Sequence, residues 1–258
     1  MREAWEKVKD KASLTSVEEG EKVEFLCPEE WAEAYPAPVP AASVKPEWLT
    51  NLQDSPGDRE PSMPGTVARC MSFMQAMNLG YIFRCPVDIG HRPVDGGYGL
   101  DFGWGPDDEA FIEPFDALSV GGDDFPIEPK ILKFVHKWVI KTPPGYSCLI
   151  THPMNRPDPR FRAFSGVVAT DEYPNYAHVP FVWTGDVDEK GVIERGTPIA
   201  QIIPYKRDSI IGEGVVRNQT EEEEMELEQA VRRIQAANGY YQEEVWTPHG
   251  TGRVRDER

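Results

Sequence analysis

The stretch E-R-G-T-P-I-A-Q-I-I-P-Y-K-R, residues 194–207, decides how this chain is read. Gly196 sits in a polar turn and supplies the backbone freedom that a tight turn needs. An aliphatic run follows at once, carrying Ile199, Ile202 and Ile203 around a lone Gln201. Alternation in it is imperfect, which fits a strand buried on both faces. An amide inside such a strand needs partners, and Gln201 is expected to satisfy backbone groups exposed where neighbouring strands diverge.

The flanking sequence extends this pattern. L-K-F-V-H-K-W-V-I-K-T-P-P-G-Y-S-C-L-I-T-H-P (132–153) reads as two strands around a Thr-Pro-Pro-Gly turn, whose Pro and Gly provide fixed and positive φ. F-S-G-V-V-A-T-D (164–171) and H-V-P-F-V-W-T-G (178–185) read as two more strands. Short strands at even spacing with turn signals between them predict a mainly β sandwich or barrel.

Upstream, residues 1–20 read as a charged helical or loose arm, and K-V-E-F-L-C-P (22–28) as a strand stopped by Pro28. Residues 35–64 carry proline too often for long regular structure, with Trp31, Trp48 and Leu49 as expected anchors. T-V-A-R-C-M-S-F-M-Q-A-M-N-L-G (66–80) predicts a helix with Val67, Cys70, Met71, Met74 and Met77 on one face and Gly80 as its C-cap. The methionines are read as core packing ahead of an adaptable binding face. G-Y-I-F-R-C-P-V-D-I (80–89) predicts a strand, and G-G-Y-G-L-D-F-G-W (96–104) a hairpin or strand. Downstream, Thr220 and Glu223 form a capping box for a helix whose apolar stripe is Leu227, Ala230, Val231 and Ile234, stopped by Asn238-Gly239. Three regions are expected: a Pro-rich α+β region over 1–130 packed on the core, a β core over 131–210, and a C-terminal helix and tail over 211–258.

Composition narrows the partners. Among 258 residues, 44 acidic against 27 basic give a net charge of −17. Nucleic-acid affinity comes mainly from cations displacing counterions, so a nucleic-acid polymer is an unfavourable partner. The four cysteines, Cys27, Cys70, Cys85 and Cys148, have no zinc-ligand spacing. Cys70 and Cys148 lie in apolar surroundings and are expected to be buried. No signal-peptide pattern opens the chain and no run of about 18 apolar residues occurs, so no membrane span is expected and the cytoplasm is the expected location.

The order of the last-third segments resembles the dUTPase and dCTP deaminase superfamily. The resemblance covers about residues 138–207, from Pro143-Pro144-Gly145-Tyr146 through Ser165-Gly166-Val167-Val168-Ala169-Thr170-Asp171-Glu172-Tyr173 to Gly196, Ile199, Ala200, Gln201 and Ile202. It implies a compact β-clip barrel, here with the Pro-rich α+β N-terminal region and C-terminal helix attached, and a homotrimer. The whole layout also resembles a group of phage and bacterial proteins that lends no function. In the dUTPase pattern an Asp holds the attacking water, but Ala169 stands at the corresponding position and cannot accept a proton. The Ser-Gly pair of the family's phosphate-binding loop is missing around Met154-Asn155-Arg156-Pro157. Asp171 and Tyr173 match the family's later Asp and Tyr, and Tyr173 could stack on a sugar.

The candidate ligand-binding residues are therefore Asn155, Arg156, Arg160, Arg162, Asp171, Tyr173 and Gln201. Guanidinium groups suit bidentate recognition of phosphate or carboxylate, and these arginines stand out in an acidic chain. The expected ligand is small, anionic and nucleotide-like, with Mg²⁺ accompanying it if it is a nucleotide. Two alternatives stay open. One is a structural or interaction protein, such as one of a virus particle, with the barrel as scaffold. The other is a non-haem metal enzyme in which His136, His152 and His178 converge with Asp171 or Glu172.

Overall fold

The computed structural model describes residues 21–52, 66–94, 100–105, 110–115, 131–236 and 245–247. The arm 1–20, most of the second half of the Pro-rich span, the Gly-rich start 96–99 of the predicted hairpin and the helix stop at 238–239 lie outside them.

The strands are β1 Glu24–Leu26, β2 Val39–Pro40, β3 Tyr81–Arg84, β4 Ile89–Pro93, β5 Leu100–Gly103, β6 Ile112–Pro114 and β7 Ile131–Phe134. They continue with β8 Val139–Lys141, β9 Tyr146–Thr151, β10 Phe161–Ala163, β11 Gly166–Val168, β12 Val179–Trp183, β13 Gly191–Ile193 and β14 Pro198–Lys206. The helices are α1 Glu47–Asn51, α2 Met71–Asn78 and α3 Glu221–Ala236. The fold is mainly β, as the turn spacing implies. Its sheets run β11-β9-β14-β3-β2, β10-β12-β7-β6, β13-β4-β5 and β1-β8. Their pairings are antiparallel.

The opening stretch forms the central strand of the largest sheet. β14 pairs with β9 on one side and β3 on the other, and Ile199, Ala200, Gln201 and Ile202 are wholly buried. A strand with neighbours on both edges and cover on both faces has no polar side, which is why its aliphatics run nearly unbroken. Gly196 turns into it at φ +91°. Gly80 does the corresponding job on β3 at φ +65°, and it passes so close to β14 that a Cβ there would lie 2.0 Å from the Ile202 carbonyl oxygen.

Every sheet draws strands from both sides of residue 130, so the N-terminal region is woven into the core through shared hydrogen-bond ladders. Phe83, Phe134, Phe161, Phe181, Ile193 and Ile202 lie in one apolar cluster with Tyr35. A smaller cluster of Leu49, Ala68, Met74 and Met77 seats α1 and α2. Leu49 is the deeper anchor, while Trp48 stays partly exposed against the edge of Phe73.

Three expectations are corrected. The helix predicted over 66–80 is interrupted at Cys70, whose backbone is extended, leaving a 3-10 turn over Val67–Arg69 ahead of α2. The break turns Ala68 rather than Val67 into the core, and Cys70 is exposed, not buried. The strand predicted over 164–171 shrinks to β11, Gly166–Val168, because residues 164–165 carry the chain across from β10 in one sheet to β11 in another and a turn follows at 170–172. The methionines do pack as core.

The capping box of α3 forms in both directions. The Glu223 N–H donates to Thr220 Oγ1 at 3.3 Å and the Thr220 N–H to Glu223 Oε2 at 2.9 Å. Its apolar stripe, however, is uncovered: Leu227, Val231 and Ile234 are all exposed.

Candidate functional site

The residues singled out in the sequence separate into framework and pocket. Gln201 belongs to the framework. Its Nε2 donates to the Ala76 and Leu79 carbonyls at 2.9 and 2.7 Å, and its Oε1 accepts from the Met154 N–H at 2.9 Å. These are carbonyls at the end of α2, which no further helical turn supplies with donors. The lone amide thus ties β14, α2 and the 154–157 loop together.

Arg156 does the same for the Pro-rich segment. Proline removes N–H donors but leaves carbonyl acceptors, so a Pro-rich strap beside the body needs donors from elsewhere. Arg156 is only 6% exposed. Its Nη2 donates to the Ala41 and Val44 carbonyls at 2.8 Å each, its Nε to Val44 at 3.1 Å and its Nη1 to Met154 at 3.4 Å. Arg84 Nη2 donates to the Ala37 carbonyl at 2.9 Å and Arg195 Nη2 to Glu33 at 3.2 Å, so three arginines clamp residues 33–44. Burial lowers the Arg156 guanidinium to about 10, which still leaves it charged at neutral pH. Asn155 adopts φ +55° and donates from Nδ2 to the Phe73 carbonyl at 3.1 Å.

The other charges are also engaged. Arg160 grips Asp158 through Nε and Nη2 at 2.9 and 2.7 Å and reaches the Val192 carbonyl and Glu194 through Nη1. Asp171 accepts two bonds from Arg207, at 2.8 and 2.7 Å, and one from the Gly145 N–H at 2.8 Å. That arrangement fastens the Pro-Pro-Gly turn to the 165–173 segment, and Arg207 holds the Asp171 carboxyl down at about 2. Arg162 is exposed on β10, between buried Phe161 and Ala163.

Tyr173 is different. It is 47% exposed and stands at a cavity of about 640 Å³ between β7, β8, β9, β11 and β12. Ile140, Ile150, Val168 and Ala177 make an apolar wall, and Tyr173 and Tyr176 bring aromatic rings to it. Ala169 lines it too. The Ala169 carbonyl accepts from the Glu172 and Tyr173 N–H groups at 3.0 and 2.9 Å, a turn that fixes where Tyr173 starts. The polar lining is Lys133, Glu172, Asn175 and His178. Lys133 is paired with Glu113 at 2.9 Å, which holds that carboxyl below its ordinary range. Burial and the neighbouring Lys133 push His178 below the ordinary imidazole range, so it is neutral at pH 7. Its Nδ1 is buried with no hydrogen-bond partner among the described residues.

The three histidines do not meet. His136 is sealed in the core, stacked on Phe83 with centroids 4.5 Å apart, and burial lowers it to about 3. His152 accepts from the Ala163 N–H at 3.3 Å and packs against the edge of Phe161. His178 lines the cavity. Among the described residues no three His, Cys, Asp or Glu side chains form a group that could hold a metal ion. Of the ligand-binding candidates, Tyr173 alone lines the cavity; Glu172 and His178, read as metal ligands, line it as well, while Lys133, Asn175 and Tyr176 went unread. Lys133 carried a signal, being the polar position inside the apolar run Ile131-Leu132-Lys133-Phe134.

Two of the solved structures similar to this chain are dUTPases. The native EIAV enzyme matches at 15% identity and a TM-score of 0.30, over 55% of this chain and 86% of its own. A mutant dUTPase from phage phi11 of S. aureus matches at 10% identity and a TM-score of 0.30, over 66% of this chain and 95% of its own. No family model matches the chain, and no curated protein matches it. Among the described residues no helix is long and apolar enough to cross a membrane.

Proposed function

We propose that this chain is a dUTPase-like β-clip protein that binds a small, flat, anionic ligand of nucleotide type in the cavity beside Tyr173. The observation that carries the reading is the cavity itself: the segment Gly166–Tyr173 that matches the dUTPase pattern supplies Val167, Val168, Ala169, Thr170, Glu172 and Tyr173 to its lining. An apolar wall with tyrosine rings suits a planar base or a sugar face, because such surfaces stack with little ordering cost. Asn175 offers an amide that can both donate and accept, and Lys133 is the cation in the lining available to an acidic substituent. Ala169 removes the usual base, so the pocket binds without the ordinary dUTP hydrolysis; Glu172 is the carboxylate in the lining that any other hydrolysis would have to use. Mg²⁺ would come with the ligand's phosphates, since the described residues assemble no carboxylate cage for it.

The test is a melting-temperature screen of the full chain against deoxynucleosides and their mono-, di- and triphosphates, with and without Mg²⁺. A ligand bound by the folded state alone raises the melting temperature once it exceeds its dissociation constant. The reading expects a rise with at least one of them, lost in Tyr173→Ala while the unliganded melting temperature stays within a few degrees. Flat curves with a well-folded sample would overturn it in favour of a structural or interaction protein. The exposed apolar residues Ile210, Ile211, Val215 and Val216 ahead of α3 are the observation that favours that second reading.

A further inference from the structure

We propose that α3 is a self-docking element: it pairs with α3 of a second copy of this chain, antiparallel, along the stripe Leu227, Ala230, Val231 and Ile234. A helix of 16 residues, about 24 Å long, is marginal in water unless something covers its apolar face. Among the described residues nothing covers that face. Of residues 221–235 only Glu223 is even half-buried, and Leu227 is 50% exposed. Residues at 227, 230, 231 and 234 share one side of a helix, spaced as a two-helix seam requires. Beside the stripe runs a groove whose walls are Val215 and Val216 on one side and Leu227 and Ala230 on the other.

The charge pattern selects the occupant and its direction. α3 carries Glu221, Glu222, Glu223, Glu224, Glu226 and Glu228 towards its start and Arg232 and Arg233 towards its end. A parallel pair would stack the glutamates of the two copies side by side. An antiparallel pair places the acidic start of each helix against the basic end of the other. Aligning the two stripes about their common centre puts Leu227 opposite Ile234 of the partner subunit, at the groove. The same register brings Glu226 beside Arg233 of the partner subunit, twice by symmetry. Neither residue has an ion pair within its own chain among the described residues, whereas Arg232 is already bonded to Glu228 at 2.9 Å and Glu223 to Arg217.

The test is the mass of the full-length protein in solution, by light scattering or sedimentation, across a concentration series at low salt. The proposal expects an even number of copies, halved in Leu227→Glu/Ile234→Glu. Because the stripe is exposed in the single chain, that variant should keep the wild-type circular dichroism of the β core. Glu226→Arg should raise the dissociation constant about tenfold by turning two attractive pairs repulsive, and Glu226→Arg/Arg233→Glu should restore it. A monomer or trimer as the largest wild-type species, an unchanged mass in the Leu227→Glu/Ile234→Glu variant, or no recovery in the charge swap would each overturn the proposal.

Discussion

Replacing Arg156 with Met keeps much of the side-chain volume but takes the guanidinium from the Val44 carbonyl and leaves the Ala41 carbonyl with the Val44 N–H alone. Hydrogen bonds from a charged donor contribute roughly 1.5–3 kcal/mol each, so about 3 kcal/mol is the expected loss, read from urea unfolding. Arg156→Lys should recover little, because an ammonium is a point donor and cannot fork across two carbonyls. Gln201→Leu is nearly isosteric and should cost on the order of 2–4 kcal/mol, since two carbonyls and one N–H lose their partner together. Glycine positions should differ sharply. Gly196→Ala forces positive φ on a side chain that meets open space, at about 1–2 kcal/mol. Gly80→Ala adds a collision with the β14 backbone and should abolish soluble expression.

At the scale of elements, the account separates α2 from the strands by their thiols. Burial pushes Cys85 up to about 12 and Cys148 up to about 11, while Cys70 is exposed ahead of α2. A thiol reagent at pH 8 should therefore modify Cys70 within minutes and reach Cys85 and Cys148 only after unfolding, as peptide mapping of the adduct would show. Cys70 also shows why its exposure was hard to read. Its neighbours are apolar, but the helix starts after it, and a one-residue break rotates the face that period alone assigns. β14 was legible because a buried central strand writes itself as an unbroken aliphatic run, and the Thr220–Glu223 box because capping is local. The candidate site was legible in part. The 165–173 segment and Tyr173 lead to the cavity, yet Arg156 was read as a ligand contact because sequence shows a cation near a loop and not the carbonyls it serves. Those carbonyls belong to a strap more than a hundred residues away in sequence. Lys133, Asn175 and Tyr176 reach the cavity only through the pairing of β7, β8 and β12, which is non-local.

The whole molecule should lose stability in acid in two windows. Burial holds His91, His136, His152 and His178 below the ordinary imidazole value, His136 at about 3. As pH falls below about 6.5 the unfolded chain takes up protons that the folded one refuses, so stability drops from there towards pH 3. Asp171, held at about 2, adds a second loss as pH falls from about 4 to 2. Melting temperatures from pH 8 to 3 should show the first window flattened in His136→Phe, whose ring can keep the stack on Phe83. Strands from both sides of residue 130 share each sheet, so loss of the strap should unfold the β core with it in one transition. The central claim is that Tyr173 belongs to a ligand pocket and Arg156 to the frame. Its most direct measurement is one thermal-shift experiment on wild type, Tyr173→Ala and Arg156→Met, with and without the deoxynucleotide that raises the wild-type melting temperature most. The account predicts that Tyr173→Ala melts like the wild type but no longer responds to the nucleotide, and that Arg156→Met melts much lower yet still responds. An Arg156→Met protein as stable as the wild type and blind to the nucleotide, beside a responsive Tyr173→Ala, would contradict it.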